Sequence, residues 1–489
     1  MNLVVIGSGF GGLAAAVRLQ TQGHQVTLIE KRDAAGGRAY VYRRDGFTFD
    51  GGPTVITAPW LIEELFSEAG RDPKAYVELL PVDPFYRIFF EDGSIFDYSS
   101  NQEKMEQEVA RFNPDDVDGY RRFLRKTEDI FTTGFGLIDT PFLTIGSMLR
   151  VLPDLVRLRA DKSVYRYASA YIRDERLRRV FSFHPLLVGG NPFQTTSIYT
   201  LILFLEKKWG VWFAKGGTGA VVSALERLFR EMGGTIMFEA EVDQIVVDPA
   251  TRMSRGVRLK DGRELSSDAI VCNGDVAFTY AHLLPKGFRG TYTDARLARM
   301  TYSISLFVLY FGTDRRYDDI PHHSIMLGKG YESLLDDIFN RHHLGDDFSL
   351  YLHRPTATDP SLAPTRCDAF YVLSPVPHLA STTDWREEAP RYRDRIIRYL
   401  EERYMPDLSR HIVTEHHIDP LHFRDTLNSY LGSAFSIAPT LTQSAWFRPH
   451  NRSKEIPNLY FVGAGTHPGA GLPGVLSSAK IVAELIGRA

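Results

Sequence analysis

The chain has 489 residues, 44% of them hydrophobic and 12% aromatic, and a formal net charge of −3. That length supports two or three domains with large interiors, and the near-neutral charge gives no support for a nucleic-acid partner or for long-range electrostatic steering. Cys272 and Cys367 are the only cysteines and stand in no C-x-x-C pair, so neither a disulfide framework nor a thiolate metal site is expected, no metal is assigned, and a reducing cytoplasmic compartment fits.

The first element is an apolar strand, Asn2 to Ile6, which begins at residue 2 and leaves no room for a signal peptide. It runs into Gly7-Ser8-Gly9-Phe10-Gly11-Gly12, where Gly7, Gly9 and Gly12 satisfy G-x-G-x-x-G, and a helix-forming stretch, Leu13 to Gln22, follows. The first glycine makes the tight turn and the second lets backbone approach a pyrophosphate. The third lets the helix sit close to the strand, with its N-terminal N–H groups facing the phosphates. A second strand, Gln25 to Ile29, ends in Glu30, whose carboxylate suits a ribose 2′-hydroxyl and repels a 2′-phosphate. Strand, turn, helix, strand and terminal acid together indicate a bound dinucleotide.

After Lys31 come Gly36-Gly37-Arg38 and then Asp50-Gly51-Gly52-Pro53-Thr54-Val55-Ile56-Thr57. A G-G-R segment placed shortly after the second strand resembles the flavoprotein oxidoreductases of the amine-oxidase type, in which it supports the FAD pyrophosphate.

A helix is expected around Pro59 to Ala69, then a hairpin from Phe85–Glu91 and Ser94–Tyr98 joined by Asp92-Gly93, then helix over 101–135 with a start at Asn113-Pro114-Asp115-Asp116. From Thr144 to Ala160, Ile145, Met148, Leu149, Leu152, Leu155 and Val156 recur at helical spacing, with Pro153 as a kink or a second start. Between Met148 and Val180 nine Lys or Arg face four Asp or Glu, the composition of a basic amphipathic segment that can lie on an anionic membrane as well as of an ordinary helix over a core. Val180 to Leu205 carries no Lys, Arg, Asp or Glu, yet Pro185, Gly189, Gly190 and Pro192 exclude a lipid-exposed spanning helix, so it reads as buried lining.

Ala214-Lys215-Gly216-Gly217-Thr218-Gly219 has the wrong spacing for a second nucleotide site and reads as a glycine turn capping a helix. Short strands follow at 234–236, 242–247, 256–259 and 269–273. Beyond them come strands at Ser303–Phe311 and Phe370–Pro377 and a helix at Arg391–Tyr404. Last, Leu459-Tyr460-Phe461-Val462 delivers Gly463-Ala464-Gly465-Thr466-His467-Pro468-Gly469 to a helix carrying Pro473, Gly474 and Val475 at its start, a terminus whose dipole favours the negative charge of a reduced flavin.

Taken together, the glycine fingerprint, G-G-R, D-G-G-P-T-V-I-T, F-H-P-L-L-V-G-G-N-P-F (Phe183–Phe193), T-Q-S-A-W-F-R-P-H-N-R (Thr442–Arg452) and G-A-G-T-H-P-G-A-G resemble the bacterial phytoene desaturases along the whole chain. The resemblance implies a mixed α/β chain with a discontinuous Rossmann-type FAD domain of the amine-oxidase and glutathione-reductase class (1–80, 215–290 and 455–489), an inserted substrate domain (81–138 and 291–454) and a helical, membrane-associated lid (139–214). It implies FAD contacts from Gly7, Gly9, Gly12, Glu30, Lys31, Gly37, Arg38, Pro53, Thr54 and Val55, from Val242 on the adenine side, and from Gly463, Gly465, Pro473, Gly474 and Val475. Arg150 matches an arginine of the substrate region and is the catalytic candidate.

The implied activity is stepwise desaturation of phytoene toward neurosporene and lycopene by hydride transfer to flavin N5. The implied partners are partly desaturated carotenoids, quinone or oxygen, and a membrane surface on the inner face of the cell membrane. Two other classes share the pattern: a different flavin enzyme, such as a carotenoid isomerase or an amine oxidase, and a prenyl-binding escort protein that kept the fold but lost the flavin. The intact fingerprint, Glu30, Arg38 and the C-terminal turn oppose the escort.

Overall fold

The computed structural model describes residues 1–489. Its first sheet has five parallel strands in the order Leu459–Phe461, Ala269–Cys272, Asn2–Ile6, Gln25–Ile29, Thr235–Met237. Asn2–Ile6 sits at the centre, and its last four residues are buried because parallel strands are covered on both faces. The helices Phe10–Thr21, Thr218–Glu231 and Leu472–Ile486 pack together on this sheet. The sheet draws on three separated stretches of chain, all of them assigned from the sequence to the FAD domain.

A second sheet has seven strands in the order Ile412–Ile418, Ser305–Thr313, Asp368–Val376, Leu350–His353, His323–Met326, Tyr86–Phe89, Ile95–Tyr98. The expected hairpin is there, pairing Phe89 with Ile95 across Asp92-Gly93. The strands His323–Met326, Leu350–His353 and Ile412–Ile418 are additions to the sequence reading. The helix expected from Arg391 begins at Trp385, where Asp384 accepts from the Arg386 N–H and Pro390 is carried inside the helix.

Residues 101–209 are largely helical. Phe96, Phe123, Phe181 and Phe213 belong to one core, so the stretches 81–138 and 139–214 share an interior. The run from Val180 to Leu205 breaks into short turns at His184–Val188 and Ser197–Thr200 before the helix Leu201–Trp209. Inside it, His184 Nε2 lies 3.1 Å from Glu206 Oε2, and the Tyr86 hydroxyl donates to Glu206 Oε1 at 2.7 Å, which satisfies a fully buried carboxylate. No helix is long and apolar enough to cross a membrane.

The helix Ile145–Arg157 is capped by Thr144, whose hydroxyl accepts from the Ser147 N–H, and it carries Pro153 inside. None of its residues is buried. Ile145, Leu149, Leu152 and Val156 form one outward face with exposures of 61, 60, 46 and 68%, while Met148, Val151 and Leu155, with the Asp154 carboxylate paired to Arg157 beside them, line an internal cavity. The helix is therefore a largely apolar partition between that cavity and the outside.

The turn at Gly216-Gly217, both at φ +84°, is the helix cap expected from its spacing. The Asp50 carboxylate accepts from the Thr218 N–H at 2.9 Å and the Gly219 N–H at 3.1 Å. Burial, only partly offset by these two hydrogen bonds, pushes its pKa from 3.8 up to about 6. A raised carboxyl pKa contributes stability that is full at acid pH and is lost as pH rises through the folded value; two units correspond to about 3 kcal/mol. Asp50→Asn should remove this component, so the stability difference between wild type and variant should change by about that amount between roughly pH 4 and pH 6. Denaturant melts at a series of pH values check this, and parallel profiles for the two proteins would refute it.

Candidate functional site

The glycine fingerprint forms a cradle. Gly7 takes φ +88°, a left-handed value that a side chain disfavours, and its N–H donates to Ile29 O at 2.7 Å. A Cβ on Gly12 would sit 1.9 Å from Gly7 O, so the helix reaches the strand only because that atom is missing. At Gly9 a Cβ would meet only the Asn273 side-chain nitrogen at 3.0 Å and Gly36 O at 3.8 Å; its remaining surroundings are the cavity. The N-terminus of Phe10–Thr21 thus meets the cavity beside the turn.

Glu30 is buried and accepts from the Ser8 N–H at 2.9 Å, the Ser8 hydroxyl at 2.7 Å and the Arg32 N–H at 3.0 Å. These bonds hold the carboxylate at the end of its strand. Ser8, the x of G-x-G, was not singled out in the sequence, although its hydroxyl sets the acid's orientation.

Arg38 tests whether the site fits an anionic cofactor. Its guanidinium lies deep in the protein, its remaining accessible surface faces the cavity, and burial lowers its pKa, with Asp275 opposing. One amino group donates to Ser429 Oγ at 2.8 Å, Nε has no partner, and no carboxylate lies within ion-pair distance. A buried, under-partnered arginine in the same cavity wall as two helix N-termini and a glycine cradle fits a pyrophosphate, and hence FAD. Lys31 donates to Asn428 Oδ1 at 2.9 Å, farther along the same wall.

The second N-terminus comes from the last element. Gly471, at φ +94°, precedes the helix Leu472–Ile486, which has Pro473 in its first turn. Gly474 packs on Gly469 O, where a Cβ would come within 2.5 Å. The turn before it is clamped by Arg448, a fully buried arginine whose Nε donates to Thr466 O at 3.0 Å and whose Nη2 donates to Ala464 O at 2.6 Å and Ile437 O at 2.9 Å. Asn451 adds a bond to His467 O at 2.7 Å. The T-Q-S-A-W-F-R-P-H-N-R segment therefore acts on the G-A-G-T-H-P-G turn by holding its carbonyls, a link that sequence separation conceals.

One cavity joins these parts. Its wall includes Gly7, Gly9, Glu30, Lys31, Gly37, Arg38, Pro53, Thr54, Val55, Val242, Gly463, Pro473, Gly474 and Val475. Gly12 and Gly465 stand behind the wall and serve close packing; a Cβ on Gly465 would come within 2.9 Å of Ser436 and Val276. Away from the cradle the wall becomes apolar, with Phe142, Met148, Val151, Leu155, Leu186 and Leu201 among its residues, and 47 of the 81 lining residues are hydrophobic. The structure does not bring Arg150 to this site: it points outward from the Ile145–Arg157 helix, is exposed, and lies outside the cavity wall, because the wall takes positions 148, 151, 154 and 155 of that helix. Asn273, by contrast, lies against Gly7, Gly9, Gly11 and Gly463 and ties the fingerprint to the closing turn.

The chain matches the family described as flavin-containing amine oxidoreductase over residues 10–487. It is 54% identical over 485 residues to a lycopene-forming phytoene desaturase of Pseudescherichia vulneris, covering 99% of this chain and 98% of that one. It is 43% identical to a neurosporene-forming phytoene desaturase of Rhodobacter capsulatus, with 99% and 93% covered. Among solved structures, the cyclohexylamine oxidase of Brevibacterium oxydans superposes with a TM-score of 0.62 at 16% identity over 99% of this chain and 98% of that one, a likeness of fold alone. By its sequence over its whole length and by its fold, the chain belongs to the phytoene desaturases within the flavin-containing amine oxidoreductase family.

Proposed function

We propose that this protein is an FAD-dependent phytoene desaturase that inserts successive double bonds into phytoene to give neurosporene or lycopene. The observation that carries the reading is the single cavity running from the glycine cradle and Arg38 to an apolar chamber walled by the Ile145–Arg157 helix. Bound FAD supplies a two-electron acceptor for hydride. The chain's own part is to bind and orient: Glu30 and Arg38 hold the polar cofactor, and the apolar wall binds a hydrocarbon that offers no polar handle and excludes water around it. Gly7, Gly9, Glu30, Lys31, Gly37, Arg38, Pro53, Thr54, Val55, Val242, Gly463, Pro473, Gly474 and Val475 contact FAD; the two sheets support an FAD domain of three segments and a substrate domain, and the helical stretch 139–214 shares its core with 81–138.

Incubating the protein with FAD, phytoene in liposomes and a quinone should yield phytofluene and later coloured products by chromatography. No product with flavin bound would overturn the activity. Because only one complete dinucleotide unit is present, quinone or oxygen is the acceptor and NAD(P)+ is not required. Stoichiometric NAD(P)H formed under anaerobic, quinone-free turnover would contradict this.

The protein works docked on a membrane surface without spanning it. Of its ten exposed large hydrophobic residues, Ile145, Leu149, Leu152 and Val156 lie on one helix face, and Leu441 and Phe447 lie on the segment that packs beside this helix. Clustered exposed apolar side chains of this kind mark an interaction surface. Of the nine basic residues between Met148 and Val180, Arg157, Arg159, Lys162, Arg173, Arg176 and Arg179 are already paired with carboxylates, so binding rests mainly on apolar contact and only weakly on salt-sensitive attraction.

A further inference from the structure

A polar line leads out of the apolar cavity. Thr54, Tyr351 and Tyr371 are in its wall, with Thr54 Oγ1 2.7 Å from the Tyr371 hydroxyl and 3.0 Å from that of Tyr351. The Tyr351 hydroxyl lies 2.6 Å from Nδ1 of His323, which is fully buried. The His323 ring meets His322 edge-on, with centroids 4.4 Å apart, and stacks on His353 at 5.3 Å. His353 Nε2 lies 3.0 Å from His322 Nε2, and His322 Nδ1 lies 2.6 Å from the hydroxyl of Thr358, a half-buried residue.

This inference rests on the desaturase reading. Forming a double bond from two adjacent CH2 groups breaks two C–H bonds. One hydrogen would be taken as hydride by the FAD that Glu30 and Arg38 are placed to hold, the electron pair of the other bond becomes the new π bond, and its proton must leave a chamber from which water is excluded. We propose that this proton leaves through Tyr351 to His323 and then by way of His353 and His322 to Thr358. For the first transfer, Tyr351 donates its hydroxyl proton to His323 Nδ1 as it takes the proton from the cavity side.

Between His323 and the next two rings no hydrogen bond is formed, but one nitrogen of each of the three rings lies within 4.8 Å of the others. His323 Nε2 and His353 Nδ1 are the ring atoms left without partners. One ring reorientation or one bridging water spans that distance. Burial holds His323 and His353 well below ordinary imidazole pKa values and lowers His322 to about 3, so the rings stay neutral and a proton passes without being stored. Three imidazoles are also a ligand set for a divalent transition metal. Arg354, next to His353 in the chain, is itself paired with Asp318 and Asp368, so a metal assay of the purified protein separates a relay from a metal site.

Tyr351→Phe and His323→Gln are expected to keep FAD content, melting temperature and KM for phytoene, to lower kcat by on the order of a hundredfold, and to change the solvent deuterium isotope effect on kcat. An independent readout needs no turnover: in 15N-histidine-labelled apoprotein, NMR should show His323 as the Nε2–H tautomer with Nδ1 as a hydrogen-bond acceptor, a signature that Tyr351→Phe removes. Variants that turn over at the wild-type rate with an unchanged isotope effect would overturn the relay. So would a wild-type His323 protonated at Nδ1, or a stoichiometric transition metal in the purified protein. Wild-type protein that shows the expected tautomer but fails to desaturate phytoene contradicts the desaturase reading instead.

Discussion

Gly9→Val is expected to fold normally and to purify without FAD. Gly9 has φ −67°, open to any residue, and a Cβ there would come no nearer than 3.0 Å to another atom, the Asn273 side-chain nitrogen, so a valine is accepted by the backbone. Its branches would instead fill the cradle formed with Gly7, Gly11, Gly36 and Gly37, the space a pyrophosphate needs. Gly12→Val gives the informative contrast, since its Cβ would fall 1.9 Å from Gly7 O and must push helix from strand. That variant should lose thermal stability as well as cofactor. Glu30→Ala should weaken FAD binding without abolishing it, because losing a charge-assisted hydrogen bond costs roughly 1.5 to 3 kcal/mol, about ten- to a hundredfold in Kd. Flavin spectra and melting curves of the three proteins check the set; full flavin retention in Gly9→Val would remove the proposed site.

Replacing Leu149, Leu152 and Val156 together with aspartate is expected to release the protein from liposomes and stop conversion of liposomal phytoene while leaving FAD content unchanged. Exposing a forty-carbon hydrocarbon to water costs on the order of 30 kcal/mol at about 0.8 kcal/mol per CH2, so the substrate must pass from bilayer to cavity directly. The Ile145–Arg157 helix is the thin wall between the two, with Met148, Val151 and Leu155 on its cavity side left intact in this variant. Since none of the three replaced residues is buried, the fold has no reason to suffer. Binding of the wild type should persist in high salt. A variant that still sediments with liposomes and still makes coloured product would move the docking surface elsewhere.

What could be read from the sequence follows from how local each feature is. Gly7, Gly9, Gly12 and Glu30 act through one strand–turn–helix–strand unit, so their spacing carried their geometry. The closing turn and Pro473 were legible for the same reason. Arg448 and Asn273 work across the fold, on carbonyls 16 to 18 residues away and on glycines near both ends of the chain, and no spacing rule reveals such partners. The strand His323–Met326 went unread because adjacent histidines do not look apolar; sheet neighbours on both sides bury them. Arg150 lies off the cavity wall for a rotational reason: a helix places position 150 about 100° from 151, and the cavity takes the neighbouring face.

The most direct test of the central claim is an anaerobic mixing experiment that follows oxidised-flavin absorbance as phytoene-bearing liposomes are added to the FAD-loaded protein, with products separated afterwards. Absorbance should fall in proportion to desaturated product, one flavin for each new double bond, in wild type but not in the Leu149, Leu152 and Val156 aspartate variant, which retains its flavin. Flavin that stays oxidised in wild-type protein bound to phytoene liposomes would contradict the claim that one cavity joins a membrane-supplied hydrocarbon to the cofactor.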